Sequence, residues 1–284
     1  MATANKQYRN SVFCAYFNSP ARLLSLCNAV LGTEYSDVSK LHINTLEGTF
    51  FDERKNDISC TIGNTFLVLI EHQSSINENM PLRCLSYVAE LLNKLVTDKQ
   101  KLYRQARIKF PAPRFVVLYD GNAAEPLERE MRLSEAFGGD ATALELVVTS
   151  YNINHGLNQP LLAKCHYLRD YSILVWKVKE GLRSGLNLRE AISRAVQFCL
   201  AKGVMGDYLA EHSEEVFNML ELEWNLDEAL QARYEDGRDE GIVAGLEKVA
   251  LKMIRLGKSF DYISEITDLP LERIKKLSLQ LEGK

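Results

Sequence analysis

The five consecutive apolar residues Phe66-Leu67-Val68-Leu69-Ile70 constrain this chain more than any other feature. A run so short and so rich in branched side chains offers no polar face to water, so it reads as a strand buried on both faces. Upstream, Ile58-Ser59-Cys60-Thr61-Ile62 reads as a second strand, and Gly63-Asn64 between the two is a turn signal. Together they specify a hairpin inside a sheet. At its outer ends the character changes abruptly: Asp57 opens one arm, and Glu71-His72-Gln73 closes the other. Alternation puts Glu71 and Gln73 on one face and His72 on the opposite one. Burying a carboxylate without compensation is costly, so acids at both ends of a buried hairpin point to a cation site. The competing reading is a pair of solvated strand-end charges, with Arg54 and Lys55 at hand as partners.

The loop decides whether one cation could serve both acids. A two-residue turn pairs Ile62 with Thr65 and sends Asp57 and Glu71 to opposite faces. A three-residue loop, Gly63-Asn64-Thr65, pairs Ile62 with Phe66 and sets Asp57 opposite Glu71. It also gathers Ile58, Cys60 and Ile62 with Phe66, Val68 and Ile70 on the other face. The three-residue loop is the expectation, because Gly or Asn can supply the left-handed residue it needs.

Around this hairpin the elements follow in a clear order. Ser19-Pro20 opens a helix that runs to Gly32, and Leu41 to Phe51 alternates loosely as a strand. After the hairpin, Leu82, Leu85, Val88, Leu91, Leu92 and Leu95 repeat at helical spacing, with Arg83, Glu90 and Lys94 on the exposed side. Phe115 to Tyr119 is a further buried strand, stopped by Asp120-Gly121, and Leu144 to Asn152 is another. From Pro160 to Leu230 the pattern is helical, with breaks near Ser184-Gly185 and Gly203. The fold class is therefore α/β, a mixed sheet core flanked by helices and followed by a helical C-terminal half. The expected divisions are a core over 1–155, a helical extension packed on it over 156–232, and a helical tail over 233–284.

Composition removes several function classes. The 284 residues contain no apolar run long enough to cross a bilayer, and the polar N-terminus has no signal-peptide core, which predicts a cytoplasmic protein. Six cysteines lie scattered in apolar segments without a Cys-x-x-Cys pair, as reduced, buried thiols would. The net charge of −4 conceals a belt: residues 211–247 hold 2 Lys and Arg against 12 Asp and Glu, while residues 1–210 hold 24 against 21. A polyanionic partner therefore remains compatible with the N-terminal part.

The order of elements, together with Asn56-Asp57-Ile58 and Ile70-Glu71-His72-Gln73-Ser74, resembles the recombination-promoting nuclease and transposase-like family of the PD-(D/E)xK nuclease superfamily. Asn79-Met80-Pro81-Leu82-Arg83, Phe115 to Gly121, Leu133 to Phe137, Tyr151 to Gly156 and Glu223-Trp224-Asn225 carry the same resemblance, which spans nearly the whole chain. It implies a restriction-endonuclease-like core and magnesium-dependent DNA cleavage tied to recombination, mobile elements or defence. Matched position by position, Asp57 is the motif Asp, Glu71 the motif acid, and Gln73 stands where most of the superfamily has Lys and where this family usually has Gln. A catalytically weak or inactive DNA-binding or protein-interaction member of the same fold is the alternative.

The chemistry fits these residues. Magnesium, or manganese in its place, is held by one or two carboxylates with water and phosphate oxygens; Asp57 and Glu71 match that count, and the His72 backbone carbonyl is a third oxygen. Gln73 would orient the attacking water through its amide. His72, facing away, is expected to have a structural role. The tract Lys99–Arg114 holds six basic residues and no acid, interleaved with Tyr103 and Phe110. It is the candidate DNA-contact surface, with Arg104, Arg107 and Lys109 at its centre, and a solvated surface is the alternative. In the tail, Gly237, Gly241 and Gly245 share one helix face, and 262–277 suggests two short helices about a turn. That arrangement suits dimerisation or DNA contact, and a homodimer binding DNA is the expected assembly.

Overall fold

The computed structural model describes residues 11–43, 58–138 and 143–282. Asp57 and Lys55 lie outside the described residues, as does most of the expected 41–51 strand. The chain divides into two compact units, residues 1–221 and 222–284.

The first unit is built on a six-stranded mixed sheet. Its strands are β1 (Leu41–Ile43), β2 (Ile58–Ile62), β3 (Phe66–Gln73), β4 (Ala112–Tyr119), β5 (Glu128–Arg132) and β6 (Val147–Asn152). Their spatial order is β1-β2-β3-β4-β6-β5. β1, β2 and β3 are antiparallel neighbours, β3, β4 and β6 run parallel, and β5 returns antiparallel on β6. The apolar runs of β3 and β4 thus occupy the two central positions, where both faces are covered.

The hairpin has the three-residue loop. Ile62 pairs with Phe66 and Ile58 with Ile70, with Gly63 in the left-handed region at φ 54°. Ile58, Cys60 and Ile62 therefore share a face with Val68 and Ile70. Against this face pack α1 (Val12–Phe17), α2 (Pro20–Leu31) and α5 (His166–Arg183). Phe13 stacks on His72 with ring centroids 5.0 Å apart, and Tyr171 meets the same ring edge-on. Cys27 Sγ lies 3.4 Å from Cys60 Sγ, both buried thiols. Five of the six cysteines are buried and all are free, as their spacing suggests.

The opposite face carries Leu67, Leu69, Phe115, Val117, Val148 and Met131, and it is covered by α3 (Met80–Leu95) through Met80, Cys84, Tyr87, Val88 and Leu91. This differs from the leucine pattern. Leu82 is 53% exposed and Leu95 is exposed as well, while Leu85 and Leu92 are only partly buried. The buried stripe runs through a thiol and a phenol instead, which rotates α3 and turns Arg83 toward the sheet. β5 likewise departs from the apolar strand pattern: Glu-Arg-Glu-Met-Arg buries only Met131 and is charged elsewhere, as suits an edge strand.

Beyond the sheet come α4 (Gln159–Lys164), α6 (Leu188–Lys202) and α7 (Gly206–Arg255), the last broken at His212. Gly203 closes α6 in the left-handed conformation. In the second unit, α8 (Phe260–Thr267) and α9 (Leu271–Glu282) pack with the end of α7 around Ala250, Ile263, Leu269, Ile274 and Leu277. These are the two short helices about a turn that the tail suggests. Among the described residues no helix is long and apolar enough to cross a membrane.

Candidate functional site

β3 ends with its two faces doing different chemistry. On the α3 face, Glu71 pairs across the ladder with Val117 and Gln73 with Tyr119, so both project from the carboxyl ends of central parallel strands. The Glu71 side chain is only 4% exposed, and Arg83 Nη2 sits 2.9 Å from its Oε2. The same nitrogen is 3.2 Å from Tyr87 Oη, and Nη1 is 3.4 Å from Met80 Sδ. Gln73 Nε2 also donates to Met80 Sδ, at 2.9 Å. Amide and guanidinium thus flank one sulfur beside a buried carboxylate. The carboxylate's charge is felt nearby: burial, and then Glu71, push the Cys84 thiol up to about 12. Burial and Glu71 raise the Tyr87 phenol too, against the opposing pull of Arg83.

On the other face, His72 Nε2 lies 3.1 Å from Asp120 Oδ2 and 3.4 Å from Tyr171 Oη. Lys179 Nζ donates to the Asp120 carbonyl and, at 3.3 Å, to Asn154 Oδ1. Burial works against ionising Asp120, but His72 and Lys179 prevail and hold its carboxyl below the usual range. His72 is thus locked away from Glu71, as alternation requires. Gly121 brings the chain after β4 against the chain after β3: a Cβ there would stand 2.0 Å from the Ser74 carbonyl oxygen, so only glycine fits.

The sequence-derived site residues divide accordingly. Glu71 and Gln73 come together on one face and His72 points from the other, while Asp57 is outside the described residues. Arg104, Arg107 and Lys109 are exposed, and Tyr103 is 91% exposed. Their tract is not a regular helix: a 3-10 turn over Lys99–Tyr103 gives way to irregular chain, and Arg104 Nη2 reaches Asp98 at 3.5 Å. The tract enters β4 at Ala112, opposite Phe66, so it lies at the far end of β3 from Glu71, about 16 Å along the strand. Arg83, Tyr87, Asp120 and Tyr171 join the site beyond the residues the sequence assigns to it. Arg83 and Asp120 carried one legible signal each, a charge beside an apolar helix stripe and an acid ending a buried strand.

A divalent cation would find oxygen donors here, a carboxylate and an amide, and the site already holds positive charge against Glu71 Oε2. Among the described residues, no group of three or more His, Cys, Asp or Glu side chains could hold a metal ion. Compared with known proteins, the chain matches no family model, no curated protein and no solved structure.

Proposed function

We propose that the chain is a magnesium-dependent DNA endonuclease of the recombination-promoting nuclease type, with Asp57, Glu71 and Gln73 as its site. The observation that carries this reading is the pairing of Glu71 and Gln73 on one face at the carboxyl end of β3, with the carboxylate buried against a positive charge. The family resemblance assigns the same residues. Bound there, magnesium would supply a nucleophilic water and neutralise charge on the phosphate. Glu71, Asp57 and the His72 carbonyl would hold it, and Gln73 would orient the water through its amide. In the reaction, water oxygen bonds to phosphorus and one ester P–O bond breaks, leaving a phosphate end and a hydroxyl end. The basic tract around Arg104, Arg107 and Lys109 would meet the duplex away from the cut, and the glycine-bearing helix of the tail would serve a homodimer.

The test is plasmid incubated with purified protein and magnesium or manganese. Cleavage that EDTA abolishes, and that is lost in Asp57→Ala and Glu71→Ala proteins with parental circular dichroism, is expected. A parent that does not cut, or variants that cut as fast, would refute the assignment. The Arg83–Glu71 ion pair specifically favours a second reading: a guanidinium already neutralises the acid, as a non-catalytic DNA-binding member of the fold would arrange it. Magnesium-independent duplex binding without any cleavage would establish that alternative.

A further inference from the structure

Resting on the nuclease reading, we propose that Arg83 is the phosphate-binding cation of the site, supplying from α3 the positive charge that position 73 does not supply from β3. Gln73 is uncharged, and its Nε2 is turned onto Met80 Sδ, so it offers no charge to a polyanion. Arg83 reaches the same sulfur and the Glu71 carboxylate from α3. A guanidinium carries five N–H donors in a rigid fork, so it can hold a carboxylate on one edge and a phosphate oxygen on another; a lysine ammonium, a point charge, lacks that geometry. The fork is oriented before any ligand arrives. Tyr87, one turn along α3, places its hydroxyl 3.2 Å from Nη2 and its ring centroid 6.0 Å from Cζ. With 24% of its side chain exposed, Arg83 is the part of this buried pair that reaches solvent. The arrangement assigns the two charges different tasks: Glu71 faces the cation, and Arg83, held by Glu71, faces the backbone of the nucleic acid.

The experiment measures binding of a fluorescent DNA duplex by anisotropy, in EDTA, over a series of potassium chloride concentrations. Replacing one phosphate contact flattens the log–log salt slope by about 0.9. Arg83→Gln should show that loss, while Arg83→Lys, which keeps the charge without the fork, should keep the parental slope with weaker binding. A purely structural Arg83 would lower the melting temperature and leave the slope alone, and that result overturns the proposal. If Arg83→Gln does not fold, Glu71→Gln is compared with Glu71→Gln/Arg83→Gln, where neither charge is left alone; equal slopes there overturn it too. A parent that cuts plasmid, with an unchanged slope in the variants, sinks the role of Arg83 and spares the nuclease reading. A parent that binds but never cuts does the reverse, provided the slope falls in Arg83→Gln. A parent that binds no duplex overturns both.

Discussion

Replacing Arg83 with Met isolates the energetics of the candidate site. The substitution keeps a long aliphatic stem and removes the guanidinium. Two unit charges 2.9 Å apart attract by about 6 kcal/mol at an effective dielectric near 20. Much of that is offset by the cost of taking the carboxylate, 4% exposed, out of water. Removing one member of a buried pair typically costs about 3–5 kcal/mol. Arg83 is 24% exposed, and solvent screening places the expected loss near the lower end, about 3 kcal/mol. Glu71→Gln in the same chain removes the charge left behind, and the cycle should return an interaction energy of about 2 kcal/mol. The assay is urea unfolding followed by tryptophan fluorescence. Of the two tryptophans, Trp224 belongs to the 222–284 unit, so a Trp224→Phe background lets Trp176 report on the sheet-bearing unit alone. A loss below about 1 kcal/mol, or additive single effects, would refute the idea that Arg83 compensates a buried carboxylate. Magnesium adds a further arm. If it takes the vacated place beside Glu71, it should raise the urea midpoint of Arg83→Met more than that of the parent.

Two other outcomes follow from the same face assignments. Gln73→Lys should retain cleavage while Gln73→Leu loses most of it, because only Leu deprives the site of a group that hydrogen-bonds water; equal rates in plasmid assays would show that position 73 does not touch the nucleophile. Asp120 titrates below the ordinary carboxylate range in the folded protein, so its stabilisation is complete above that range and is lost as pH falls through the folded value. Asp120→Asn should therefore flatten the acid side of the melting temperature–pH curve below the ordinary carboxylate range, and a curve as steep as the parent's would deny the carboxylate that role.

What could be read in advance was whatever depended on neighbouring residues. The hairpin, its three-residue loop and the opposed directions of Glu71 and His72 follow from period-two alternation around Gly63, and the reduced cysteines follow from their apolar settings. The partners at the site did not follow, because each comes from elsewhere: Arg83 from α3, Asp120 from the end of β4, and Tyr171 from α5, ninety-nine residues beyond His72. The leucines of α3 also misled. Their spacing fits a helix equally well in two rotations, and the buried one uses Cys84 and Tyr87, whose side chains are ambiguous between core and surface. β5 escaped because an edge strand with one buried residue has the composition of a loop. The acid-free run from Lys99 to Arg114 reads as one surface near the cleavage chemistry, yet chain direction carries it to the other end of β3.

The two-faced end of β3 also governs how the length of this protein can vary. One residue inserted between Phe66 and Glu71 would exchange the two faces, setting the imidazole against Arg83 and driving the carboxylate among Phe13 and Tyr171. Such a change leaves composition and hydrophobicity almost untouched and still dismantles both clusters together. The loop at Gly63 is held to its length as well: three residues set Ile62 opposite Phe66, the Gly63 N–H donates to the Lys40 carbonyl at 2.7 Å, and the Ala112 N–H donates to the Thr65 carbonyl at 2.8 Å. Among descendants of this gene, insertions and deletions should therefore be absent from residues 58–73, the loop included.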